Sequence, residues 1–314
     1  MRTAAVTAVV VTHNSARHLP ELAETLESGS VSPGRMLVVD NASADDSVAR
    51  ARLAGFDVCE TGSNDGFGAA CNAALRITDS ELVLICNPDV RPSPTALEGL
   101  TAALAENPTA AVAGPVFNRR LRARRFSRIS GNLYTFLPGW MQRPLKRLDR
   151  EVPVERGDHI VVDYVVGACM LCRVEPLRAV GGFDERFFLY SEEEDLCRRL
   201  GMRGWQTLFV PSVTVAHARR ASSDGVDREV MAPFRFHSLY FYYRKYHSRL
   251  YAELARCALW MCVTCDHRFR ALTHRQQIYG PSTAKALFWS TDRVRADYER
   301  VRAQDPADSR AEAA

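Results

Sequence analysis

The stretch "VTAVVVTHN" (Val6–Asn14) is an apolar, valine-rich run that closes abruptly on Thr12, His13 and Asn14. β-Branched side chains suit a pleated strand, and apolar character on both faces marks a strand covered on both sides. The same design recurs in "RMLVVD" (Arg35–Asp40), "FDVCET" (Phe56–Thr61), "ELVLICNPD" (Glu81–Asp89) and "AAVAGPVF" (Ala110–Phe117). Helical patterns separate these runs. His18–Ser28 sets Leu19, Leu22, Ala23 and Leu26 on one face, and Ala42–Gly55 opens on cap residues and ends on glycine. Phe67–Ile77 and Ser93–Pro108 complete the alternation. Strands of this kind alternating with helices predict an α/β fold, with a mainly parallel central sheet and helices on both faces.

In such sheets ligands bind beyond the carboxyl ends of the strands. Polar residues gather there: Thr12-His13-Asn14, Asp40-Asn41 and Asn87-Pro88-Asp89. Asp40, with Asn41 and Ser43, forms a cluster of short side chains able to hydrogen-bond a pyrimidine and a ribose, and Thr12 and Asn14 line the same edge. The same residues would also serve a turn. The first turn, "THNSARHL", lacks the G-x-G-x-x-G of dinucleotide sites, and the chain has no P-loop. A net charge of +4 on 314 residues excludes a strongly basic nucleic-acid binder. The opening apolar run is too short and too polar for a signal peptide or membrane span, so a cytoplasmic protein is expected. Nine cysteines scattered through apolar segments read as reduced, mostly buried thiols. Cys169 and Cys172 lie three apart on a strand and should face opposite sides of it.

Residues 118–158 differ in character, with six arginines between Arg119 and Arg128 followed by "LYTFLPGWM". Two readings stand: a solvated loop, or a contact with phosphates or the inner face of an anionic membrane. Further on, "IVVDYVVGACMLCRV" (Ile160–Val174) reads as a strand and "YSEEEDLCRRL" (Tyr190–Leu200) as an acid-headed helix. Ser191 and Glu194 have capping-box spacing, but a cap does not need four consecutive acids. Past Glu229 the chain reads as helices to Arg302, and residues 304–314 as a frayed tail.

Taken in order, "VVVTHN", "VVDNASADDS", "NDGFGAACNAAL", "LICNPDV", "GGFDERFFLYSEEEDLCRRL" and "TVAH" resemble family 2 glycosyltransferases of the inverting GT-A type, in particular bacterial rhamnosyltransferases that extend polyprenyl-diphosphate-linked N-acetylglucosamine. The likeness implies a GT-A domain over residues 1–228, with 118–158 a variable basic loop and 229–303 a C-terminal helical region. It implies a nucleotide-diphosphate sugar donor, a sugar or lipid-linked sugar acceptor, and Mg²⁺ or Mn²⁺. By the same likeness Thr12, Asn14, Asp40, Asn41, Asn64, Gly66, Asn72 and Asn87 face the donor, Asp184 the acceptor, and Asp89 and His217 the metal. Glu193 falls where the family has its general base, a glutamate in place of the usual aspartate, with Glu192 and Asp195 as alternatives. Asn87-Pro88-Asp89 replaces the family's DxD, and Asp65 stands where a basic or neutral residue is usual. Other readings are a UDP-hexose or galactofuranose transferase, a GT-A-like nucleotidyltransferase, and a membrane-associated protein with a decayed site.

Overall fold

A computed structural model of the chain describes residues 2–118, 122–134, 144–145, 151–153, 159–217, 228–272 and 281–302. β1 (Arg2–Thr12) lies between β2 (Ser32–Asp40) and β4 (Leu82–Cys86), and β3 (Asp57–Glu60) lies outside β2; these four pair in parallel. β10 (Cys169–Arg173) runs antiparallel between β4 and β6 (Ala110–Phe117). β11 (Gln206–His217) is parallel to β6 and carries two short antiparallel partners, β5 (Val90–Pro92) and β9 (Ile160–Val162). Six of the nine strands thus share one direction, and the sheet is mainly parallel. A separate pair joins β7 (Arg122–Arg124) to β8 (Glu151–Pro153).

Alternating residues of each strand feed two apolar layers, as a pleat requires. Val6, Ala8 and Val10 meet α1 (Leu19–Glu27), α2 (Ser47–Leu53) and α4 (Ala96–Glu106). Val9, Val11 and Ile85 meet α3 (Phe67–Arg76), α6 (Val174–Ala179) and α7 (Glu192–Gly201). The residues expected on the inner face of α1, Leu19, Leu22, Ala23 and Leu26, are the ones buried. Cys169 and Cys172 fall in opposite layers.

Ile160–Val174 is two strands rather than one. β9 pairs with β11, whereas β10 pairs with β4 and β6, so the chain between them must cross from one set of partners to the other. Gly114 allows this crossing: a Cβ there would lie 2.5 Å from that of Val165. Because β10 is antiparallel, its first residues arrive where β4 ends, and the Asn87 N–H donates to the Ala168 carbonyl at 2.9 Å.

The chain divides into two compact units. The first, Met1–Arg125, Val152–Glu185 and Glu192–Ala221, contains the nine-stranded sheet. The second gathers Phe126–Glu151, Arg186–Ser191 and Ser222–Ala314. It holds α5 (Ile129–Tyr134), α8 (Arg228–Tyr246), α9 (Arg249–Leu272), α10 (Pro281–Ala286) and α11 (Thr291–Arg302). The helical C-terminal region is therefore joined by two segments that the linear boundaries assigned elsewhere. Phe187 packs with Tyr242, Tyr243 and Leu259, and Phe188 with Phe234, Val294 and Tyr298, so burial of these rings draws Arg186–Ser191 into the helical unit. Residues 119–121, 135–143 and 304–314 lie outside the described residues. Among the described residues no helix is long and apolar enough to cross a membrane.

Candidate active site

Thr12 is the last ladder position of β1, opposite Asp40 at the end of β2, and His13 and Asn14 follow it. The two loops are stitched together by polar contacts. His13 Nδ1 lies 2.8 Å from the Asn41 carbonyl, Asn14 N–H donates to Ser43 Oγ at 2.9 Å, and Asn14 Oδ1 accepts from Ala44 N–H at 2.8 Å. Asp40 is buried, with Oδ1 accepting the Ser43 hydroxyl at 2.6 Å and Oδ2 the Ser43 N–H at 2.9 Å. The turn this requires puts Asn14 at φ 50° and Ala42 at φ 55°. Asn41 Nδ2 reaches on to the Gly66 carbonyl at 3.2 Å. The Thr12 hydroxyl is buried and finds no hydrogen bond among the described residues. The edge is a polar shelf cross-linked by hydrogen bonds between the two loops.

Asp89 and His217, far apart in sequence, meet at 3.2 Å between Oδ1 and Nε2, the aspartate side chain fully buried. β11 ends on His217, next to β5, which leaves the Asn87–Asp89 turn. Asn118 fixes the histidine backbone from both sides, donating to its carbonyl at 2.9 Å and accepting its N–H at 3.0 Å. Arg91 donates to the carbonyls of Pro88 and Val90, which holds the turn below Asp89. His18, with its pKa lowered first by burial, lies within electrostatic reach of Asp89, Arg17 and Arg91. A carboxylate and an imidazole suit Mn²⁺, and Mg²⁺ through oxygen. Among the described residues no group of three His, Cys, Asp or Glu ligands exists, so a cation on this pair would need water or substrate oxygens to complete its shell.

α7 opens on Glu192, Glu193, Glu194 and Asp195. Their surroundings separate them. Asp195 is fully buried and accepts from Arg199 Nε at 2.7 Å; Arg199 in turn donates to the carbonyls of Val180 and Gly182 at 2.9 and 2.7 Å. Glu192 is buried, and its Oε2 finds no hydrogen bond among the described residues. Burial, then the neighbouring Glu193 charge, pushes its pKa well up. Glu193 is half-buried. Burial raises its pKa too, while its own N–H, the Arg124 guanidinium and the Gly167 N–H act the other way. A Cβ on Gly167 would sit 3.3 Å from Glu193 Cβ, so a side chain there would press on the acid. Just before the helix, Tyr190 and Ser191 hold φ of 72° and 67°, two successive non-glycine residues in left-handed backbone. Such conformations cost about 1–3 kcal/mol each and persist where the surroundings impose them.

The signature of glycosyl transferase family 2 matches residues 7–181. The chain belongs to this family. An N-acetylglucosaminyl-diphospho-decaprenol L-rhamnosyltransferase of Mycobacterium tuberculosis is 31% identical over 239 residues, 70% of this chain and 77% of the relative. The rhamnosyltransferase WbbL of Escherichia coli is 40% identical over 57 residues, 18% of this chain and 22% of WbbL. A pre-mycofactocin glycosyltransferase of M. tuberculosis is 31% identical over 220 residues, 68% of this chain and 43% of that protein. Among solved structures, the mannosyltransferase PcManGT from Pyrobaculum calidifontis in complex with GDP-Man and Mn²⁺ superposes with a TM-score of 0.57 at 18% identity, over 97% of this chain and 84% of that one. The fold is of the GT-A type.

Within this glycosyltransferase the strand-end residues come together as expected from the sequence, and three expectations change. Asn72 was expected at the donor, yet its amide is spent elsewhere. Nδ2 donates to the Phe183 carbonyl and Glu185 Oε1, each at 2.9 Å, and Oδ1 accepts the Phe183 N–H at 2.8 Å. It therefore holds the Gly181–Glu185 loop, where Asp184 sits half-buried. The Ser191–Glu194 capping box does not fit, because an N-cap residue is extended and Ser191 is left-handed. Asp195 is committed to Arg199 and acts on loop position. Asn64 Oδ1 accepts the Gly66 N–H at 3.3 Å and shapes the turn before α3, where Gly66 has φ 98°. Arg124, Gly167, Asn118, His18 and Arg91 carried no sequence signal for the site. Arg124 stands on β7 and bridges Tyr164, so part of the basic stretch borders the acids.

Proposed function

We propose that this glycosyltransferase transfers L-rhamnose from dTDP-L-rhamnose, with inversion, to a lipid-diphosphate-linked sugar in cell-wall or polysaccharide synthesis at the inner face of the plasma membrane. The observation that carries the sugar and acceptor is the 31% identity, over 70% of the chain, to a relative named for that reaction. The chemistry rests on the chain's own residues. Inversion needs a base facing the acceptor hydroxyl, opposite the leaving diphosphate. Glu193 takes that role: it is half-buried, and the Gly167 N–H and Arg124 favour its ionised form. It accepts the hydroxyl proton as the acceptor oxygen attacks the anomeric carbon and the bond to the diphosphate breaks. Glu192, with one buried oxygen that makes no hydrogen bond among the described residues, is pushed toward its neutral form and adds little charge beside Glu193.

Asp40, Asn41, Thr12 and Asn14 hold the nucleotide, with Asn64, Gly66 and Asn87 on the same side. Asp184 faces the acceptor, on a loop that Asn72, Asp195 and Arg199 keep in place. Asp89 and His217 would bind Mg²⁺ or Mn²⁺, which when bound neutralises charge on the leaving diphosphate.

A donor panel of dTDP-L-rhamnose, UDP-hexoses and UDP-galactofuranose with a polyprenyl-diphosphate N-acetylglucosamine acceptor tests the reading. An α-L-rhamnosyl product from the dTDP donor is the expected result. Turnover of a UDP-sugar alone, or of a nucleoside triphosphate with pyrophosphate release, overturns it.

A further inference from the structure

We infer that the outward face of α9 docks this protein on an anionic lipid surface. The helix is two-sided. Ala252, Ala255, Leu259 and Val263 are buried against the aromatic core of the second unit. On the other side Leu250, Leu254, Met261 and Trp260 are 70%, 62%, 54% and 43% exposed, with Cys257 and Cys265 exposed beside them. At 3.6 residues per turn, Leu250, Leu254, Cys257, Met261 and Cys265 fall within about 80° of arc and run for about 22 Å. An apolar band that long and continuous marks an interaction surface rather than scattered exposure.

Charge identifies the partner. From Arg249 to Arg268 the exposed positions are Arg249, Leu250, Leu254, Cys257, Trp260, Met261, Cys265 and Arg268. None is acidic. Of the helix's two acids, Asp266 is half-buried on the core side, and Glu253, which falls between Cys257 and Trp260 around the helix, is offset by Arg244 and Arg256 and accepts the Tyr240 hydroxyl at 2.7 Å. A second copy of the chain would have to meet this patch with itself under two-fold symmetry. Arg249 and Arg268 would then have no acid to face. A layer of anionic headgroups over hydrocarbon accommodates both the arginines and the apolar band, with the indole of Trp260 at the level where tryptophan concentrates in interfacial helices. As no described helix can span the membrane, α9 would lie in its plane.

Flotation of the full chain tests this, with vesicles of phosphatidylcholine and phosphatidylglycerol in equal parts against phosphatidylcholine alone. It needs neither donor nor acceptor, so its outcome is separate from the transfer reading. Wild type should float with the anionic vesicles, and Leu254→Glu/Met261→Glu should lower the floated fraction about tenfold or more. Arg249→Gln/Arg268→Gln should reduce binding to anionic vesicles only and weaken its dependence on salt. These positions are exposed, so unfolding temperatures should match wild type. As a second readout, vesicles should shift tryptophan emission to the blue, and Trp260→Phe should remove that shift. Failure of wild type to float overturns the inference, as does wild-type flotation by Leu254→Glu/Met261→Glu. If wild type is a dimer by mass and that variant a monomer, the face belongs to a second copy instead.

Discussion

Asp40 and Glu192 are both buried carboxyl groups of the first unit, and their surroundings are opposite. Each oxygen of Asp40 has a donor supplied by Ser43, three residues along. Glu192 has a buried oxygen with no hydrogen bond among the described residues, and burial drives its pKa well up. The strand-end acid is satisfied by its own turn. Glu192, at the opening of α7, is under-satisfied, and its burial favours the neutral form. The same functional group thus takes opposite character from what is, or is not, placed beside it.

The comparison breaks most directly at Glu193. Glu193→Gln should lower kcat about 10²–10⁴-fold, the range for a general base, with donor KM little changed. Glu192→Gln should stay within about tenfold of wild type on the same scale; if it is the more damaging variant, the base is Glu192. Asp89→Ala should lower kcat about 10²–10³-fold, as for loss of one electrostatic stabiliser, and EDTA should do the same to wild type, reversibly with Mn²⁺. Removing Arg199, by Arg199→Met, leaves buried Asp195 without its cation and should cost about 3 kcal/mol in denaturant unfolding.

Two smaller effects follow from pH. Glu193 works ionised and its pKa is raised, so the acid limb of kcat/KM should lie above the ordinary glutamate range. Arg124→Gln removes a cation that lowers that pKa and should move the limb further up. Glu192 has a folded pKa above its unfolded one. Its contribution to stability is present below about pH 4.5, the unfolded value, and is lost as pH rises through the folded pKa. Glu192→Gln should therefore flatten the fall in stability from acid to neutral pH and raise the neutral unfolding temperature by a few degrees, about 2–4 °C per kcal/mol.

The alternation of strands and helices, the inner face of α1 and the shelf formed by Thr12, Asn14, Asp40 and Asn41 were legible in the sequence, because period and strand-end position encode them. Asp89 and His217 were both assigned to the metal by a shared motif order, but the sequence did not show that their side chains meet. The direction of β10 was not legible: an apolar run reads the same in either direction, and only its partners decide. Asn72 was misread for a related reason. A buried amide serves a ligand or a neighbouring loop equally well, and the choice is made by Phe183, 111 positions away. Arg124 was hidden by its company, one arginine among six, with nothing local to set it apart.

The insertion of β10 between β4 and β6 also sets the order in which the site is made during synthesis. Until Cys169–Arg173 has left the ribosome, the edges of β4 and β6 that it will bridge have no partner. At ordinary elongation rates the interval between Cys86 and Arg173 is on the order of ten seconds. Exposed apolar edges of that kind invite pairing with other chains. β1 to β4 are therefore made early and wait for β10, which joins them to β6 and brings Gly167 beside Glu193, with β11 still to follow.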